Sequence, residues 1–150
     1  MGKIIHNGVT ITREINTRNI ITASLSSNHT LSSDGVYELL ELASDVVVGS
    51  NLSVANDTVV CGKSGTVLIS GKMAFNSCSA GLKWFTIYRN NGSILAFPIN
   101  TSTNRISISI PPTLFTVSAG DAIDMRVNGA TGDVVRAGRS YTELTVEYVD

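Results

Sequence analysis

Histidine is nearly absent from this chain: His6 and His29 are the only two in 150 residues. A Ser–His or Cys–His dyad needs a base beside its nucleophile. One histidine lies near the start and the other in an early polar stretch, so such a dyad is poorly supplied, and an enzyme is not expected. Charge is scarce as well. Asp, Glu, Lys and Arg make up 15% of the chain and the net charge is −1, so no basic face is expected to meet nucleic-acid phosphates or anionic lipid. Apolar runs stay well short of the ~18–20 residues of a membrane-spanning helix. The opening Met1-Gly2-Lys3-Ile4-Ile5-His6-Asn7 has no signal-peptide core, and synthesis in the cytosol is the expectation. Cysteine is limited to Cys61 and Cys78. They bracket an apolar-alternating stretch of about ten residues, which as a strand spans roughly 33 Å, whereas a disulfide needs Cα atoms within about 7 Å. Two reduced thiols are expected, and two isolated cysteines do not make a metal site.

What is present is apolar and strand-like. Apolar residues form 43% of a chain the size of one ordinary domain. Ile106-Ser107-Ile108-Ser109-Ile110, Ile123-Asp124-Met125-Arg126-Val127 and Leu144-Thr145-Val146-Glu147-Tyr148 alternate strictly. Period two places one face of each strand in a core and the other toward water or a partner. Val67 to Phe75 alternates too, with Val67, Ile69, Met73 and Phe75 on one side. Trp84 to Tyr88 carries bulk on both faces, which predicts a strand covered on both sides. Val36 to Leu42, flanked by Gly and Ser, reads as strand rather than helix. Turn chemistry falls between these runs, at Gly62-Lys63-Ser64-Gly65, Asn90-Asn91-Gly92, Ala119-Gly120-Asp121 and Asn128-Gly129-Ala130-Thr131-Gly132-Asp133. Short strands at such spacing, without a sustained 3.6-residue period, predict an all-β sandwich or jelly roll. No linker or repeat divides the chain. Residues 1–14 are expected to form an arm ahead of a head domain spanning 15–150.

The chemical motifs are weak. Gly62-Lys63-Ser64 is similar to the end of a phosphate loop, but Asp57 stands where that loop needs glycine, and a strand rather than a helix follows. Asp121, after Gly120, is placed to bond turn amides. Neither Asp121-x-x-Asp124 nor the Asp133 loop has the ligand density of a calcium site. No catalytic residue, metal ligand or cofactor is assigned. Asn-x-Ser/Thr triplets at Asn28, Asn51, Asn56, Asn91 and Asn100 follow from a composition rich in those residues.

Four segments, in order, carry a resemblance. They are Ser64 to Gly71, Trp84 to Gly92 with its Tyr-Arg-Asn-Asn-Gly end, Ser118 to Val127 with Ala-Gly-Asp-Ala-Ile, and Tyr141 to Val146. Together they resemble the tumour-necrosis-factor-like jelly roll, shared with the globular heads of the complement recognition protein, over about Ser24 to Asp150. Within that family, versions rich in Asn, Ser and Thr and without a signal most resemble bacteriophage structural proteins. Lys3 to Thr10 is similar to the N-terminal segments of phage tail and baseplate proteins. There is no Gly-x-y stalk and almost no fibre shaft.

The resemblance implies a homotrimer packed by one sheet about a threefold axis, with residues 1–14 gripping other virion proteins. It also implies recognition of host cell-wall saccharide through loops at the tip. In this reading Asn90, Asn91, Asn104, Arg105, Asp133 and Arg136 are the ligand-binding candidates, because planar amide, guanidinium and carboxylate groups suit hydroxyl-rich ligands. The family's sheet implies that Val67–Phe75 lies between Ile123–Val127 and the closing strand. That order puts Lys72, Asp124, Arg126, Glu143, Thr145 and Glu147 on the trimer face, joined by the bulky Trp84. A head-fibre or capsid-decoration protein without a receptor role is the alternative. A cytokine-like signalling ligand is a second, and a polysaccharide-cleaving enzyme comes last.

Overall fold

The computed structural model describes residues 2–6, 9–13, 18–102 and 104–149. At the N-terminus β1 (Gly2–His6) and β2 (Val9–Arg13) pair antiparallel as a two-stranded sheet of their own. Residues 1, 7, 8 and 14 of the arm expected over 1–14 lie outside the described residues. The strands that follow are β3 (Ile20–Leu25), β4 (His29–Thr30), β5 (Glu38–Leu39), β6 (Leu42–Val48), β7 (Leu52–Ala55) and β8 (Thr58–Cys61). Two long strands come next, β9 (Gly65–Ser77) and β10 (Gly81–Arg89). The remainder are β11 (Gly92–Thr101), β12 (Ile106–Val117), β13 (Ala122–Asn128), β14 (Val134–Val135) and β15 (Glu143–Tyr148).

They form two antiparallel sheets. In one, the β10 sheet, the order is β11-β10-β13-β8-β7, with β5 also paired to β13. In the other, the β9 sheet, it is β4-β14-β9-β15-β3-β6, with β12 along the other side of β9. The strand order corrects one expectation. β13, which holds Ile123–Val127, pairs with β10 and not with β9; the neighbours of β9 are β15, β14 and β12. Alternation declares which side of a strand is apolar, but both sheets turn an apolar side to the same core, so it does not choose the pairing.

The core is the set of inward positions. Val67, Ile69, Met73 and Phe75 of β9, Leu144 and Val146 of β15, and Ile21 and Ala23 of β3 face Phe85 and Ile87 of β10 and Ile123, Met125 and Val127 of β13. Burying each large side chain stabilises the fold by about 1.5–3 kcal/mol. The apolar alternation is interrupted at Gly71, and the packing explains it: a Cβ there would sit 3.0 Å from the Glu143 carbonyl oxygen of β15. Pro111 and Pro112 fall at the register shift between Ile110 and Thr113 in β12, where a strand tolerates a missing N–H. Asn90 and Asn91 close the β10–β11 hairpin with φ of 50° and 66°, the left-handed pair of a two-residue turn. Asn56 and Asp57 do the same between β7 and β8. The Gly62–Gly65 segment is not a hairpin. It carries the chain from β8 in one sheet to β9 in the other.

Candidate functional site

No disulfide joins Cys61 and Cys78; they are buried at opposite ends of β9, where burial pushes both thiols up in pKa. Among the described residues no group of three or more His, Cys, Asp or Glu could hold a metal ion. His29 Nε2 lies 2.9 Å from Glu38 Oε2. Burial tends to raise the Glu38 carboxyl, but bonds from the Ser32 and Ser33 amides and His29 outweigh it and hold it below its ordinary value.

The six expected ligand-binding residues do not converge. Asn90 and Asn91 sit at one end of β10, whereas Asn104, Arg105 and Asp133 belong to the other end. There the Asn104 carbonyl accepts from the Cys78 amide (3.1 Å) and Asp133 meets Ser79. Asn90 is a clamp: its Nδ2 donates to Asp121 (2.7 Å) and its Oδ1 accepts from the Ala122 amide (2.9 Å). Asp121 in turn accepts from the Ser118 amide (2.9 Å), the main reason its pKa is lowered. It fills the turn role expected of it. Arg136 stacks over Tyr141 at 3.5 Å.

Asp133 is the clear correction. It is 2% exposed and closed off by Lys83, equally buried, at 2.6 Å. The Ser79 amide (2.7 Å), the Ser79 hydroxyl (3.0 Å) and the Ala130 amide (2.8 Å) complete its shell, and Lys83 Nζ also donates to Ser79 Oγ (2.9 Å). Burial pulls the Asp133 carboxyl up, yet these donors leave it below its ordinary value. Its acceptor positions are taken by these donors, so it offers a ligand no open bond. Gly129 is required beside it, since a Cβ would stand 2.7 Å from Asp133 Oδ2. The sequence carried a signal here that was overlooked: Lys83 shares the inward parity of Phe85 and Ile87.

The seven expected interface residues split between two outer faces. Lys72, Glu143, Thr145 and Glu147 share the outer face of the β9 sheet. Lys72 and Glu143 pair at 3.2 Å. Arg18 grips Glu147 through two bonds, the Nη2–Oε2 bond being 3.0 Å. Between these pairs runs a hydroxyl strip in which Thr22 and Thr145 lie Oγ1 to Oγ1 at 3.2 Å. Thr22 and Ser24, though on the outer side, are only 7% and 6% exposed.

Trp84, Asp124 and Arg126 are on the other sheet. Trp84 is on β10 itself, and for the other two the cause is the β13 pairing, which sets Arg126 opposite Thr86 and Asp124 opposite Tyr88 of β10. Arg126 is held flat by Asp124 (2.8 and 3.0 Å), donates to Asn91 Oδ1 (2.7 Å) and stacks on Tyr88 at 4.1 Å. The bond to Asp124 raises the Arg126 pKa further. Tyr37 leans on Tyr88, their ring centroids 6.0 Å apart. Sequence reasoning missed Tyr37, Thr86 and Tyr88, although Trp84, Thr86 and Tyr88 share one parity on a strand recognised as bulky.

Two packed antiparallel sheets in this order match solved structures. Murine APRIL at pH 5.0 superposes with a TM-score of 0.74 and 12% identity, over 88% of this chain and 99% of that one. The fold is a tumour-necrosis-factor-like jelly roll. Eiger TNF from S. frugiperda agrees, with a TM-score of 0.71 and 11% identity over 90% of this chain and 94% of that one. No protein-family model and no curated protein matches the sequence. At such identity the likeness is one of fold. The jelly roll therefore offers two chemically different outer faces, and no catalytic assembly unites the candidates chosen from the sequence.

Proposed function

We propose that this chain is a non-enzymatic, self-associating head of a bacteriophage particle, a homotrimer that binds host cell-surface saccharide. In this reading it is made in the host cytoplasm and carried on the virion, with residues 1–14 docking other virion proteins. The observation that carries self-association is the outer face of the β9 sheet. Its charges are matched within the chain, in the pairs Lys72–Glu143 and Arg18–Glu147. Its middle is lined by short hydroxyl side chains that are already largely covered. A face whose charges are matched asks for no new counter-charge when a symmetry mate covers it, and short side chains allow close approach. The saccharide and phage parts rest on the resemblance of the sequence to phage structural jelly rolls.

Light scattering tests the assembly: a mass of three chains supports it, and a 15.9 kDa species at micromolar concentration sinks it. Pull-down on purified bacterial cell walls separates an adhesion head from a capsid-decoration protein, which does not bind walls. A cytokine-like signalling ligand remains the second reading, favoured by the fold likeness to murine APRIL and Eiger TNF. Binding to cell walls but not to animal cell-surface proteins decides between them.

A further inference from the structure

We propose that the outer face of the β10 sheet is a binding site for a neutral saccharide, built from Tyr37, Trp84, Thr86, Tyr88 and Arg126 rather than from the loops. The inference deepens the adhesion reading above and rests on it for the ligand class.

Parity and register shape the site. Phe85 and Ile87 point into the core, so Trp84, Thr86 and Tyr88 point outward along one strand. Across from Thr86 stand Ala96 of β11 and Arg126 of β13, and across from Trp84 stands Pro98. Small residues, Thr86 and Ala96, therefore separate a Trp84–Pro98 ridge from a ridge of Tyr88 and Tyr37. Positions 84 and 88 are about 13 Å apart along the strand, which leaves a shallow trough between aromatic walls.

The chemistry of the trough selects the occupant. Trp84 Nε1, Tyr37 Oη and Tyr88 Oη have no hydrogen-bond partner among the described residues. Each is an aromatic body with an open polar tip, the combination that packs on the C–H face of a sugar ring and bonds its hydroxyls. The trough floor adds an independent sign. Thr86 Oγ1 is buried and has no partner, the one such side-chain atom among the described residues. Native chains rarely leave a buried hydroxyl unmatched. This one lies on the outer side of β10, between Trp84 and Tyr88 and opposite Arg126, where a ligand hydroxyl or a water carried with it supplies the missing bond. Charge completes the argument. Arg126 and Asp124 are matched to each other, so the face favours a neutral ligand over an acidic one.

Trp84 is the only tryptophan in the chain, and its emission reports the trough directly. The full-length protein is titrated with maltotriose, cellotriose, chitotriose and lactose. At least one of them is expected to shift Trp84 emission saturably. Tyr37→Ala, which also removes the ring contact to Tyr88, should weaken that binding about tenfold with only a small fall in melting temperature. Thr86→Val should weaken binding too, while leaving the free protein as stable or more so, because it deletes an unmatched hydroxyl; a purely structural role does not produce that opposition. The proposal is overturned if no probe perturbs Trp84, or if both variants bind as the parent does. Cell-wall adhesion that persists in both variants sinks this site and leaves the adhesion reading standing. A parent protein that binds no wall but does bind a probe sinks the adhesion reading and leaves the site.

Discussion

The two outer faces of this sandwich are built from the same strand geometry and differ in what their side chains leave unmatched. On the β9 sheet each long charged side chain ends on a partner, Lys72 on Glu143 and Arg18 on Glu147, around a strip of Ser and Thr. On the β10 sheet the charges are again matched, Arg126 with Asp124, but the tips of Tyr37, Trp84 and Tyr88 have no hydrogen-bond partner among the described residues. A face with few unmet bonds is suited to being covered by a copy of itself. One with open donors and a buried orphan hydroxyl is suited to a ligand. Alternation alone makes both faces look like ordinary solvated sheet.

The largest expected effect separates the faces outright. Thr145→Arg places a long cation in the hydroxyl strip. It should reduce the particle from a three-chain mass to the 15.9 kDa chain in light scattering, with the strand signal in circular dichroism retained. Arg126→Glu, on the other sheet, should remain trimeric. If the reverse is found, the roles of the two faces are exchanged.

The buried Lys83–Asp133 pair ties β10 to the β13–β14 loop. Lys83→Met strands a buried carboxylate and should cost about 3–5 kcal/mol in urea unfolding. The pH dependence has a definite sign. The Asp133 pKa is depressed in the folded chain, so its contribution is complete above the ordinary Asp value of about 3.9 and is lost as pH falls below it. Acid should lower the parent's stability in that window and lower the stability of Asp133→Asn less.

Smaller effects test the surface pairs. Arg126→Ala leaves Asp124, 4% exposed, without its bidentate partner. It should cost about 1–3 kcal/mol in urea unfolding, with the trimer intact. Lys72→Ala, at a half-exposed pair, should change stability by only about 0–1 kcal/mol in the same measurement. A larger loss from Lys72→Ala that appears only at concentrations where the protein is trimeric would mean that Lys72 works across the subunit boundary.

Much of the fold was legible because the information is local. Period-two runs at 67–75, 106–110, 123–127 and 144–148 marked β9, β12, β13 and β15 and the side of each that is buried, since successive side chains on a strand must point to opposite faces. Asn90-Asn91-Gly92 announced its turn because asparagine tolerates positive φ. The four ordered segments that suggested a tumour-necrosis-factor-like jelly roll agree with the fold found. Pairing was a different matter. Whether β13 lies beside β9 or β10 depends on contacts between residues far apart in sequence, and either choice buries the same apolar side. That one decision moved Asp124 and Arg126 from the β9 face to the face of Trp84 and Tyr88. Burial of a polar residue was likewise beyond local reading. Asp133 sits in a Gly-rich turn that looks solvated, and only the arrival of Lys83 from β10 closes it from water, because a carboxylate enters an interior when its counter-charge and donors are brought to it by tertiary structure.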